Sequence, residues 1–148
     1  MGDNTVIISK VINAPIERIW RAWTDPNQLK HWFTVMDGSE TEIIQFDVKE
    51  GGKVRLKFPG GAGEYTWTYI KIDEPKELVF DILDFSLPQF LPDGAGGICN
   101  VSLKDLGDKT EVTVSGDLAG ESKATRQMAE NGWGSTLDKL NNYLKKEN

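Results

Sequence analysis

The apolar positions of the chain change their period twice, and each change marks a change of structure. Residues Thr5 to Ile12 are β-branched and apolar and predict a first strand. Ile16, Ile19, Trp20 and Trp23 then recur at i, i+3, i+4 and i+7, the stripe of one helical face, with Pro15 where a first-turn proline is tolerated. A second short helix is expected to open at Asp25-Pro26 with Gln28 as its capping-box partner, turning Leu29, Trp32 and Phe33 inward. From Thr41 the period drops to two. Ile44, Phe46 and Val48 alternate with Gln45 and Asp47; after Gly51-Gly52, Val54, Leu56 and Phe58 alternate with Arg55 and Lys57, a hairpin with one wet face. Tyr65 to Ile72 and Leu78 to Phe85 flank a turn at Pro75, Cys99 to Leu103 alternates again, and Glu111 to Ser115 forms a last strand. In the strand from Tyr65, Ile70 and Ile72 are expected to face inward in preference to Trp67 and Tyr69. Helical spacing returns from about Ser122 to Lys146 through Ala129, Trp133, Leu137, Leu140 and Leu144.

Composition narrows the classes. At 148 residues, with 39% hydrophobic and 27% charged, the chain has globular proportions, and a domain of this length buries roughly 70% of its unfolded surface. No Pro/Gly/Ser-rich stretch longer than the loop Ser86 to Gly97 divides it, so residues 1–148 are read as a single domain. The formal charge of −6, with no basic cluster beyond Lys145-Lys146, argues against nucleic acid and against anionic membranes as partners. No apolar run approaches the ~20 residues of a membrane span, and the N-terminus lacks the signal-peptide pattern, so no membrane insertion and a cytoplasmic location are expected. Cys99 stands alone, and its strand position favours a buried, inert thiol over a nucleophile.

The order strand, two short helices, six strands, long helix describes an α+β helix-grip fold: a curved antiparallel sheet of about seven strands around a long C-terminal helix. Four segments sharpen this: "INAPIERIWRAWTDPNQLKHWF" from Ile12, "GGKVRLKF" from Gly51, "IDEPKELVF" from Ile72 and "GWGSTLDKLNNYL" from Gly132. With them the chain resembles the SRPBCC superfamily, which includes the START and birch-allergen-like proteins, and within it the branch named for the activator of heat-shock protein 90 ATPase. The first and last segments carry the likeness best, because each couples Trp, Gly or Pro positions at fixed spacing. The resemblance implies a cavity between sheet and helix for lipids or other hydrophobic ligands, and members described as co-chaperone domains, lipid or polyketide binders, and stress-associated proteins. It names no ligand, and fold analogy is a weak warrant for any one of these roles.

Candidate chemistry is sparse. His31, the single histidine, falls on a wet helix face and reads as a surface or pocket-rim residue rather than a general base. One Cys and one His exclude a zinc cluster, no metal or other cofactor is expected, and the glycine runs at Gly60 to Gly63 and Gly94 to Gly97 read as turns rather than phosphate loops. No catalytic residue is assigned. Five tryptophans in so short a chain either fill a core or line a cavity. On the cavity reading the ligand-facing set is Trp32, Phe33, Phe46, Leu56, Phe58, Phe80, Ile82, Met128 and Trp133. The Gly132-Trp133-Gly134 triplet either kinks the last helix or leaves room beside Trp133 for a ligand. Three functions follow in order: a non-enzymatic carrier or sensor of a hydrophobic small molecule or lipid; a cyclase or hydrolase-like enzyme using the same pocket, with His31 or Tyr65 moving protons; and a co-chaperone-like domain with a protein partner. A closed apolar cavity favours the first, converging polar groups the second, and a filled core with an exposed apolar patch the third.

Overall fold

Seven strands pair antiparallel into one curved sheet in the order β1-β7-β6-β5-β4-β3-β2. The computed structural model describes residues 6–34, 40–58, 63–85, 97–116 and 123–146. The elements run β1 (Val6–Ile12), α1 (Ile16–Thr24), α2 (Pro26–Trp32), β2 (Glu42–Phe46), β3 (Lys53–Phe58), β4 (Gly63–Asp73), β5 (Glu77–Phe85), β6 (Gly97–Asp105), β7 (Thr110–Gly116) and α3 (Lys123–Lys146). The strand start expected at Thr5, the helix start at Ser122, the loop from Ser86, the glycines at 60–62 and 94–96 and the side chains of Met128 and Ala129 lie outside the described residues.

Local signals act as their chemistry requires. In α1 the stripe of Ile16, Ile19, Trp20 and Trp23 is buried with Ala22, and the polar positions between them face out. Asp25 caps α2 by accepting from the Asn27 backbone N–H at 2.9 Å, and the Gln28 amide reaches back to the Asp25 carboxylate at 3.4 Å. Strand β3 shows strict alternation: Val54, Leu56 and Phe58 are buried while Arg55 and Lys57 are exposed, which fixes its register, since a one-residue slip would bury both charges. The turn into β3 depends on Gly52. A Cβ there would overlap the Asp47 carbonyl oxygen, while the Gly52 N–H donates to the Lys49 carbonyl at 2.8 Å and its carbonyl accepts from the Tyr69 N–H of β4 at 2.9 Å.

Two expected faces are corrected. In β4 it is Tyr65, Trp67 and Tyr69 that point inward, and Ile70 is exposed. The register shifts between Tyr69 and Lys71, so Ile70 sits in a bulge and only Ile72 beyond it packs against the core. In β2 a second irregularity between Ile43 and Gln45 leaves Ile44 exposed and brings Ile43 and Phe46, both half-buried, onto the core side.

Helix α3 closes the concave face with Trp133, Leu137, Leu140 and Leu144. Polar contacts hold it to the β1 edge: Lys10 Nζ to Asp138 Oδ1 at 3.3 Å, and the Asn13 N–H donating to Asn141 Oδ1 at 3.1 Å. Of the two readings of the glycines beside Trp133, their surroundings do not support the one in which they make room inside. A Cβ on Gly132 would meet nothing within 4 Å, and one on Gly134 would meet only the Lys10 side chain, at 4.0 Å. Both face away from the interior because they lie one residue, about 100° of helix, to either side of the inward Trp133.

These surroundings set opposite outcomes for two glycine-to-alanine changes. Gly132→Ala is expected to raise stability by about 0.5–1 kcal/mol, because an open helical position gains from the lower chain entropy of Ala. Gly52→Ala should lower it, because the new methyl has no space. Urea unfolding of the two variants checks both signs.

Candidate functional site

The concave face is built from rings. Phe33, at the C-cap of α2, meets six others: Trp23 at 6.2 Å between centroids, Trp32 at 5.6 Å, Phe58 at 6.4 Å, Tyr65 at 5.3 Å, Trp67 at 5.5 Å and Trp133 at 5.9 Å. Most of these pairs are edge-to-face, the geometry that ring quadrupoles favour. The Phe33 backbone is held from both sides. Its N–H donates to the Leu29 carbonyl at 2.8 Å, and its carbonyl accepts the buried Thr41 hydroxyl at 2.6 Å. Farther along β4, Trp67 stacks on Phe80 at 4.8 Å and 29°.

Of the residues expected to face a ligand, Trp32, Phe33, Leu56, Phe58, Phe80, Ile82 and Trp133 come together in this one buried cluster. Phe46 packs against its edge from β2, and the Met128 side chain lies outside the described residues. The residues the sequence reading passed over are Trp67 and Tyr69. Their signal was the run Tyr65-Thr66-Trp67-Thr68-Tyr69, in which threonines occupy the outward positions and aromatics the inward ones.

Exposure is graded along the face. Phe58, Ile82 and Trp133 retain 5%, 5% and 8% of their accessible surface, whereas Trp67 and Phe80 retain none. The register puts Phe58 opposite Gly63 at the start of β4, whereas Ile82 stands opposite Trp67, four residues farther along that strand.

The titratable groups on the concave face are held neutral. Burial, with Cys99 nearby, pushes the Tyr65 phenol well above its ordinary value; burial pushes Tyr69 up to about 12; and burial pushes the Cys99 thiol far up. Each therefore keeps its proton at neutral pH, where a phenol donates hydrogen bonds and a thiol is a poor nucleophile. His31 lies elsewhere, on a surface groove of about 450 Å³ lined by Arg18, Arg21, Asn27, Gln28, His31 and Tyr143. There its ring stacks on Tyr143 at 5.9 Å and its Nδ1 lies 3.7 Å from Glu40. His31 and Tyr65 are thus not brought to one site. Among the described residues no group of three or more His, Cys, Asp or Glu side chains is placed to hold a metal ion, and no helix is long and apolar enough to cross a membrane.

A sequence profile described as Activator of Hsp90 ATPase homolog 1-like protein matches residues 13–145. No curated protein matches the chain. Among solved structures, a protein from Arthrobacter aurescens is 22% identical, with 97% of this chain and 87% of that one covered at a TM-score of 0.76. Protein Ms6760 from Mycobacterium smegmatis is 22% identical over 96% of this chain and 91% of that one, at a TM-score of 0.74. DynU16, described as a protein in the dynemicin biosynthetic locus, is 21% identical, with 96% of this chain but 47% of that one covered, at a TM-score of 0.75. At these identities the likeness establishes the fold.

The ring cluster has a direct energetic consequence. Phe33→Ala is expected to cost about 3–5 kcal/mol, the range for truncating a buried aromatic, whereas His31→Ala on the outer groove should change stability by less than about 0.5 kcal/mol. Denaturant titration of both variants separates the two environments.

Proposed function

The chain belongs to the family of Activator of Hsp90 ATPase homolog 1-like proteins, and we propose that it is a single-domain, cytoplasmic binding protein for a hydrophobic small molecule or lipid, held between the sheet and α3. The observation that carries this is the concentration of aromatic surface on the concave face, contributed by both short helices, the strands and α3 together. Ligand sites of this kind are predominantly apolar with few polar groups. The ligand would rest against Trp32, Phe33, Leu56, Phe58, Phe80, Ile82 and Trp133, with Phe46 at the edge. The fold neighbour DynU16, described as a protein in the dynemicin biosynthetic locus, supports a small molecule over a macromolecule as the ligand. An unpaired, buried Cys99 suits a reducing compartment.

The outer surface favours this reading over a protein-interaction domain. The exposed Ile7 stands opposite Ser115, Val11 opposite Glu111 and Ile98 opposite Asp81. Polar partners interrupt these apolar side chains, whereas an interaction site presents a continuous patch.

Titration of the purified protein with a fluorescent apolar naphthalene probe tests the proposal. One-to-one saturable binding is expected, weakened about tenfold or more by Trp133→Ala, as for loss of a central aromatic anchor, and unchanged by His31→Ala. Loss of binding in His31→Ala with none in Trp133→Ala would move the ligand to the outer groove and overturn the reading. Conversion of the ligand during titration would instead support the enzyme alternative.

A further inference from the structure

Two hydrogen-bond donors on the inner face of β4 have no acceptor. Trp67 Nε1 and the Tyr69 hydroxyl are buried and make no hydrogen bond, and both residues are essentially inaccessible to solvent, at 0% and 1% exposure. By contrast, Trp32 in the same cluster donates its indole N–H to the Ala22 carbonyl at 3.1 Å. The two unpartnered donors lie together. They stand two residues apart on one face of the strand, with ring centroids 6.4 Å apart and no hydrogen bond between them. A third unpartnered indole, Trp23 Nε1, lies across Phe33 from Trp67. Buried donors are almost always paired in folded proteins, so such a group inside an apolar wall marks a place where something else supplies the acceptor.

We infer that the interior ligand carries an uncharged carbonyl-type oxygen on a planar apolar body, and that Trp67 and Tyr69 donate to that oxygen. This rests on the reading of the concave face as the ligand site. The chemistry of the pair selects the oxygen. A carbonyl has two lone pairs and no proton, so it satisfies two donors and brings none of its own. A hydroxyl or amine would add a donor to a wall already short of acceptors. A carboxylate would bury a charge with no cation beside it, which costs far more than burying a neutral group. The wall selects the body. Trp67 stacked on Phe80 and the rings around Phe33 offer flat faces and edges.

The test compares matched probes, 2-acetylnaphthalene and 2-isopropylnaphthalene, by calorimetric titration into the wild-type chain and into Tyr69→Phe. The ketone is expected to bind the wild type about tenfold tighter than the hydrocarbon, and Tyr69→Phe to remove most of that preference without changing hydrocarbon affinity. With carbonyl-13C ketone, the infrared carbonyl band should lie at lower frequency in the wild-type complex than in the Tyr69→Phe complex, a shift that a purely structural role for Tyr69 would not produce. Thermal melts show whether the variant folds; removing an unpartnered buried hydroxyl should leave the midpoint unchanged or raise it. Equal affinity of the wild type for both probes, or an equal loss of both in Tyr69→Phe, would overturn the inference while leaving the ligand site standing. Failure of both probes to bind the wild type would remove the ligand site and the inference together.

Discussion

Phe33 sits where the chain leaves α2, with its N–H committed to Leu29 and its carbonyl to the hydroxyl of Thr41 just before β2. Because the backbone there is fixed, the ring has one place to go, and rings from α1, α2, β3, β4 and α3 converge on it. An antiparallel sheet packed by a single long helix has no covalent or metal constraint to set its curvature. The aromatic junction supplies one. The two short helices, which connect β1 at one sheet edge to β2 at the other, are anchored through Trp23, Trp32 and Phe33, so the same contacts that close the fold also form the wall proposed to meet a ligand.

The division of chemistry between inside and outside follows from this packing. Inside, the phenols and the thiol of Cys99 are desolvated and stay protonated, so the concave face offers neutral hydrogen-bond donors in an apolar medium. Outside, charged groups pair across the convex face. Asn100 Nδ2 donates to Glu77 Oε2 at 2.6 Å and Lys71 Nζ approaches Glu77 Oε1 at 3.0 Å, which together hold the Glu77 carboxyl below its ordinary value. The groove around His31 and Arg21 belongs to this outer surface. On such a face the proposed ligand would be recognised by shape and by neutral polar contacts.

Much of the fold was legible wherever periodicity was unbroken. The α1 stripe and the alternation of Val54, Leu56 and Phe58 each state which side is inward, because burying the intervening charges would be too costly. Legibility failed at the bulges. A single extra residue at Ile70 reverses the parity of β4, and hydropathy alone then ranks the isoleucines above Trp67 and Tyr69 although the threonines between the aromatics mark the outward face. The same happened at Ile44 in β2. The triplet around Trp133 was legible as unusual but not in direction, since spacing cannot say which flank of a helix meets the sheet. The unpartnered donors were invisible for a different reason: hydrogen-bond satisfaction depends on three-dimensional neighbours that no local pattern encodes.

The central claim is that an apolar molecule is taken up inside the ring cluster rather than on the surface. A two-dimensional proton–nitrogen spectrum resolves the indole N–H groups, and adding an apolar probe reads them individually. If the claim holds, the indole signals of Trp67 and Trp133 shift in proportion to occupancy while the Arg21 and His31 side-chain signals on the outer groove stay in place. Indole signals that remain fixed while the groove signals move would contradict it.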